Sequence, residues 1–192
     1  MREKKEKKRI GLLVFIIIIM VGTSFSVFLY GGAPQSEVVK YNGIRFKGDG
    51  SIWKAKINGH EAAFTFLPEE AKPISMPEDA GSRLEGRFEI DTTSDANSSF
   101  KEAIALAQHQ MGLTLSAYNS YLRNGFTANN SFNMPIISCQ KATQAVPVVY
   151  FRHGNSTNIH LEKDCIVAEA SSNSEFIRVK DRLVYGMLGV IK

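Results

Sequence analysis

The chain has 192 residues, 44% of them hydrophobic and 22% charged, enough for one compact unit with a real core. Its net charge of +4 would suit a nucleic-acid binder, but the whole excess lies in residues 1–9, which hold six Lys or Arg and two Glu. Residues 10–192 carry 17 basic and 17 acidic side chains and no Lys/Arg cluster among aromatics, so no nucleic-acid partner is expected.

Ile10 to Tyr30 is an uncharged apolar run of 21 residues. As a helix it would span about 31 Å, the thickness of a bilayer's hydrocarbon core. The sequence therefore predicts a transmembrane helix over 10–30, with the lipid bilayer as its first partner. Basic residues on one flank and none on the other put residues 1–9 in the cytoplasm and residues 31–192 outside it. The tail also suits contact with anionic lipid headgroups. Two alternatives stand beside this reading, a cleaved signal peptide and a buried soluble helix. The apolar part of a signal peptide normally runs about 7–15 residues. Gly31-Gly32-Ala33 could serve as its cleavage site, although Pro34 directly after it hinders cutting. Residues 31–37 read as a short neck and residues 38–192 as one extracytoplasmic domain.

Asn58-Gly59 between two alternating runs is a strong hairpin signal. With those residues in the turn, Ile57 faces His60, Lys56 faces Glu61, Ala55 faces Ala62 and Trp53 faces Phe64. Asp49-Gly50 repeats the argument one turn earlier, setting Phe46 beside Trp53, Ile44 beside Ala55 and Arg45 beside Lys54. Three antiparallel strands with one apolar face result, and that face needs a cover. Leu84 to Thr92 is a further strand candidate.

Two helices are expected as the cover, each opened by a capping box, Ser99-x-x-Glu102 and Ser172-x-x-Glu175. On the first, Phe100, Ile104, Ala107, Met111 and Leu115 form one stripe, and Gly112 predicts a kink or an end. On the second, Phe176, Leu183, Val184, Met187 and Ile191 form the apolar arc. Lys180 falls inside that arc and is expected to snorkel out. Glu175, Arg178, Asp181, Arg182 and Tyr185 face away. Asn119 to Asn133 reads as a polar loop. Val146–Phe151, Asn158–Leu161 and Cys165–Ala168 are short strands, the first placed at an edge by Pro147. The fold class is α+β, a mainly antiparallel sheet covered by two helices behind an N-terminal transmembrane helix.

Cys139 and Cys165 are the sole cysteines, and outside the cytoplasm a disulfide between them would persist. It would close a loop of about 26 residues, worth about 3–3.5 kcal/mol in the chain-entropy view. Two unpaired buried thiols are the alternative, and no Cys-x-x-Cys marks redox chemistry. His60, His109, His153 and His160 sit in no zinc pattern. His153 and His160 flank an expected hairpin turn, where Asp164 or Cys165 could join them at a metal, but ordinary surface histidines explain them. No catalytic, cofactor-binding or metal residue is assigned. Arg178, Asp181, Arg182 and Tyr185 read as a solvated helix face or, functionally, as an interaction face. Asn97, Asn129 and Asn155 each head an Asn-x-Ser/Thr sequon and are possible glycosylation sites on loops. Helix capping is the structural alternative for Asn97.

The stretch Val146-Pro-Val-Val-Tyr-Phe-Arg-His-Gly-Asn-Ser-Thr-Asn-Ile-His-Leu-Glu-Lys-Asp-Cys-Ile-Val167, with the closing Asp181-Arg-Leu-Val-Tyr-Gly-Met-Leu-Gly-Val190, resembles uncharacterised single-pass membrane proteins of archaea. The resemblance covers about the last third of the chain plus the anchor-then-hairpin layout. It implies an archaeal-type envelope location and no activity. The expected function is a non-enzymatic extracytoplasmic module that binds a membrane or envelope protein or serves as an accessory subunit of an envelope assembly. One alternative is an envelope enzyme, a hydrolase or thiol oxidoreductase with a site built from distant residues. Another is a pilin-like filament subunit, for which Lys8-Arg9-Ile10-Gly11-Leu12 is a loose processing signal.

Overall fold

The computed structural model describes residues 14–21 and 37–191. The chain divides into two units at Ser36 and Glu37. In the first, residues 14–21 are helical with exposed apolar side chains. The rest of the expected 10–30 span, the basic tail and residues 31–36 lie outside the described residues. Among the described residues no helix is long and apolar enough to cross a membrane.

The second unit opens with a four-stranded antiparallel meander, β1 (Glu37–Tyr41), β2 (Ile44–Gly48), β3 (Trp53–Ile57) and β4 (His60–Phe64). Asn58 and Gly59 turn the chain with φ of 51° and 90°, the left-handed pair that a two-residue hairpin demands. The β3–β4 register is the expected one, from Ile57 opposite His60 to Trp53 opposite Phe64. Asn42-Gly43 is a second such turn, with φ of 48° and 81°, and it adds β1, a strand outside the sequence reading.

The β2–β3 register differs from expectation by two residues. Phe46 pairs with Ala55 and Lys47 with Lys54. Asp49 is the reason: its carboxylate accepts the N–H groups of Ser51 and Ile52, and its own N–H donates to the Ile52 carbonyl, so the loop is longer than Asp49-Gly50 alone. A shift of two leaves each side chain on its intended face, so Phe46, Ala55, Ala62 and Phe64 still share the core.

Helices α1 (Pro68–Ala71) and α2 (Glu78–Leu84) follow, so Leu84 closes a helix instead of opening a strand. Then come β5 (Glu89–Ser94), α3 (Lys101–Ser116) and β6 (Tyr121–Phe126), a parallel βαβ unit. The α3 stripe of Ile104, Ala107, Met111 and Leu115 is buried, and the helix runs unbroken through Gly112. The Ser99 capping box does not form; Phe100 holds the cap position with no side-chain bond. Strand β6 replaces part of the loop expected over 119–133. Its polar residues are satisfied by β5: Arg123 forks onto Asp91 at 2.7 and 2.8 Å, and Thr92 donates to Asn124 at 2.6 Å.

The remaining elements are a 3₁₀ turn (Cys139–Lys141), β7 (Val148–His153), β8 (Asn158–Glu162), β9 (Cys165–Ala170) and α4 (Asn173–Met187). A second, five-stranded sheet has the order β6-β5-β7-β9-β8, with β8–β9 antiparallel and the other three pairings parallel. The single, mainly antiparallel sheet of the sequence reading is thus two sheets, one antiparallel and one mixed. The parallel pairings follow from crossovers through α3 and through the 127–147 loop and from the insertion of β9 between β7 and β8, which local pattern does not reveal. For the same reason β7 is central, not an edge, and Pro147 lies just before it, offering its carbonyl to Asp91 N.

Helix α4 lies at the centre. It packs on α1, α2, α3 and β9, and its Tyr185 ring stacks on Phe64 at 4.0 Å and meets Phe46 edge-on at 6.1 Å. The crossing of α2 over α4 is close. A Cβ on Gly81 would stand 2.5 Å from the backbone of Gly186, a distance that only glycine permits.

Candidate functional site

The expected interaction face of α4 is not a surface. Asp181 and Tyr185 are fully buried, Arg182 is nearly so, and Arg178 is half-buried against Glu175, which it meets at 2.7 Å. Lys180, expected to snorkel out, is 1% exposed and ion-paired with Asp181. The other carboxylate oxygen of Asp181 accepts the N–H groups of Thr65 and Phe66, both at 2.9 Å. Burial pushes the Asp181 pKa above the usual carboxylate range; the Lys180 charge and these hydrogen bonds pull against it. The Tyr185 hydroxyl donates to the Phe66 carbonyl at 2.7 Å, and burial raises its pKa far above the phenol norm. Arg182 donates through Nε to the Ile74 carbonyl at 3.3 Å, and burial lowers its pKa. Elements on all sides enclose the helix, which 3.6-residue periodicity cannot show. The cluster latches the segment from Thr65 to Ile74 onto α4.

Cys139 and Cys165 form the expected disulfide, tying the 3₁₀ turn to the first residue of β9. The bond closes the side of the mixed sheet opposite α3 and α4, where Ile137, Val148 and Val167 make a small second core. The imagined histidine pair does not form, because β9 lies between β7 and β8. His153 stacks on Phe100 at 4.5 Å, and His160 contacts Asn158 at 3.0 Å and Glu162 at 3.5 Å. Among the described residues no group of three His, Cys, Asp or Glu is placed to hold a metal.

Two clefts lie at opposite ends of the parallel strands. One, of about 350 Å³, is lined by Asp79, Arg83, Arg87 and Asp164 at the strands' N-terminal ends. Arg83 there is already held by Asp79 at 3.2 Å and Asp164 at 3.4 Å. The other, of about 240 Å³, lies at the C-terminal ends of β5 and β7, where open α/β sheets take their ligands. Asp95, Ser98, Ser99, Tyr150, Arg152 and His153 line it. Arg152 stands 3.7 Å from both Glu162 and Glu169. Ser98 accepts the Phe100 N–H at 3.2 Å. Among the described residues no serine hydroxyl is hydrogen-bonded to a histidine, the contact that activates a serine nucleophile.

The open feature of the domain is the lateral edge of β6. Tyr121 N–H donates to the Phe88 carbonyl and Thr127 N–H to the Ser94 carbonyl, so odd-numbered residues of β6 face β5. Even-numbered residues face outward. Phe126 pairs there with Pro135 and Ile137, and among the described residues no strand lies beside the backbone groups of Leu122 and Asn124. Phe88 and Tyr121, at one end of this opening, are 78% and 60% exposed. Phe132, Met134 and Ile136 are exposed at the other end. Strand β4, the other edge of the meander, has the Thr114 hydroxyl of α3 on its Ala63 carbonyl at 3.3 Å, and β8 and β1 are blunted. β8 receives Ser75 through the Ile159 N–H at 2.8 Å, and β1 carries charged Glu37 and Lys40. No sequence signal marked β6, since its role as an edge is set by topology.

Asn97, Asn129 and Asn155 are all exposed and lie on loops; Asn97 caps no helix. No protein-family model matches the chain, and no curated protein or solved structure is significantly similar to it.

Proposed function

We propose that this protein is a membrane-anchored extracytoplasmic module that binds an envelope protein by accepting an extended segment of it on the open side of β6. The observation that carries the reading is that edge: outward-facing N–H and C=O groups at Leu122 and Asn124, flanked by exposed Phe88 and Tyr121. An added strand would satisfy those groups by main-chain hydrogen bonds, and its apolar side chains would cover the two rings. Natural proteins blunt such edges unless they use them. Residues 10–30 would hold the module in the bilayer with residues 1–9 on the cytoplasmic side. The Cys139–Cys165 disulfide supports an oxidising, exported location. The reading needs no cofactor, metal or nucleic acid.

Asn124→Pro tests it. Proline removes the outward N–H, and an edge strand tolerates it. Asn124→Ala is the control, because it loses the same Thr92 hydrogen bond and keeps the N–H. The full chain is purified from gently solubilised native membranes. Wild type and Asn124→Ala should retain a stoichiometric protein partner, and Asn124→Pro should lose it while keeping its disulfide and circular dichroism. Retention by the proline variant, or recovery of a lone monomer in every case, would overturn the proposal.

A further inference from the structure

We infer that the edge of the mixed sheet at the C-terminal ends of β5, β6 and β7 is a glycan-bearing face, modified at Asn97, Asn129 and Asn155, and that a protein partner is confined to the open stretch of β6 from Tyr121 to Asn124. The inference rests on the exported location proposed above.

These three strands are neighbours and parallel, so their C-terminal ends share one edge. Asn97 lies three residues beyond Ser94, Asn129 three beyond Phe126, and Asn155 two beyond His153. With adjacent strands about 4.8 Å apart, the three loops leave the sheet over a width of about 10 Å. The three asparagines are scattered over 59 positions of sequence, and the fold gathers them.

Their side chains also differ from those of most other asparagines. Asn42, Asn58, Asn124, Asn130 and Asn158 use their amides to hold the fold. Asn130 stands directly beside Asn129 and makes four such bonds, to Ala128, Phe132 and twice to Met134. The amides of Asn97, Asn129 and Asn155 are exposed and make no hydrogen bond among the described residues. At Asn97 the backbone N–H alone is engaged, by Asp95 at 2.9 Å. The Ser99 and Ser131 hydroxyls of two sequons are exposed as well, and Thr157 of the third faces Ser171 at 3.2 Å.

The chemistry needs a free amide nitrogen and a lipid-linked oligosaccharide as donor. Asparagine Nδ2 bonds to C1 of the first sugar, and the bond from C1 to the lipid phosphate oxygen breaks. The lipid phosphate leaves with that electron pair, and the amide proton passes to a base of the transferase. Sugars on these loops would overhang the cleft lined by Asp95 and His153 and keep a protein off that end. Phe88, Tyr121 and Leu122, toward the strand's opposite end, would stay bare.

The test is glycopeptide mass spectrometry on the full chain from native membranes, beside single Asn→Gln variants at 97, 129 and 155 and the triple variant. Sugar masses on at least two of the three asparagines of one molecule are expected, each single variant at an occupied position losing one step of the mass ladder and the triple variant falling to the bare polypeptide mass. Unmodified peptides, or modification at one position alone, overturn the inference. The same sample is read for the Cys139–Cys165 bond and for cleavage by protease added to intact cells. An oxidised, accessible and bare protein sinks the glycan face and leaves the exported location standing. Free thiols in a protein shielded inside the cell sink the location itself.

Discussion

Asp181→Ala should be among the most damaging single changes outside the large core residues. The carboxylate is fully buried and holds Lys180 Nζ and the backbone N–H groups of Thr65 and Phe66. Removing one partner of a buried ion pair costs about 3–5 kcal/mol, because the other charge is left without compensation. Each orphaned amide would add about 1–3 kcal/mol, less whatever water recovers at this half-buried corner. The two contributions overlap, so a loss of about 4 kcal/mol is the working figure. Domains of this size are stable by about 5–15 kcal/mol. With a urea slope of about 2 kcal/mol per molar, the midpoint should fall by about 2 M. The assay is urea unfolding of residues 37–192, followed by circular dichroism at neutral pH. Adding Lys180→Met removes the stranded ammonium, so the double variant should recover part of the loss. A loss below about 1 kcal/mol, or no recovery in the double variant, would refute the latch.

Other outcomes follow from the same structure. Tyr185→Phe keeps the ring stack and loses the bond to the Phe66 carbonyl, costing about 1–1.5 kcal/mol at pH 7 by urea titration. Burial raises the phenol pKa in the fold, so folding holds a proton that the unfolded chain gives up near pH 10. Its contribution is full below pH 10 and is lost as pH rises beyond that, and Tyr185→Phe should make alkaline unfolding shallower by about 1.4 kcal/mol per pH unit. Replacing Cys139 and Cys165 by serine should cost about 3 kcal/mol in thermal and urea unfolding, with no further loss on adding reductant. Lys47→Glu turns the Lys47–Lys54 pair into an attractive one and should gain about 0.2–1 kcal/mol. The gain should shrink in a Lys54→Ala background, and a gain that survives there would contradict the observed register.

What could be read in advance was local. Asn58-Gly59 specifies its own hairpin, so the β3–β4 register follows from turn chemistry alone. The stripe from Ile104 to Leu115 follows from helical spacing, and two cysteines leave one pairing to consider. Strand β1 was equally legible through Asn42-Gly43 and was missed. What could not be read depends on distant partners. The Tyr121–Phe126 strand is polar because Asp91 and Thr92 meet its Arg123 and Asn124 across a parallel pairing. Lys180, Asp181 and Arg182 look solvated in the helical pattern, yet they are enclosed because elements separated by more than a hundred residues pack around α4. The candidate site suffers the same limit. The sequon residues are visible one by one, but their common edge, and the open flank of β6, exist only once the strand order is known.

The most direct test of the account is site-specific photocross-linking in intact cells, with a photoreactive residue in place of Tyr121 and, as a control, in place of Glu102 on the exposed side of α3. The account predicts one discrete heavier adduct, containing an envelope protein, from position 121 and none from position 102. No adduct at position 121, or the same adducts at both positions, would contradict it.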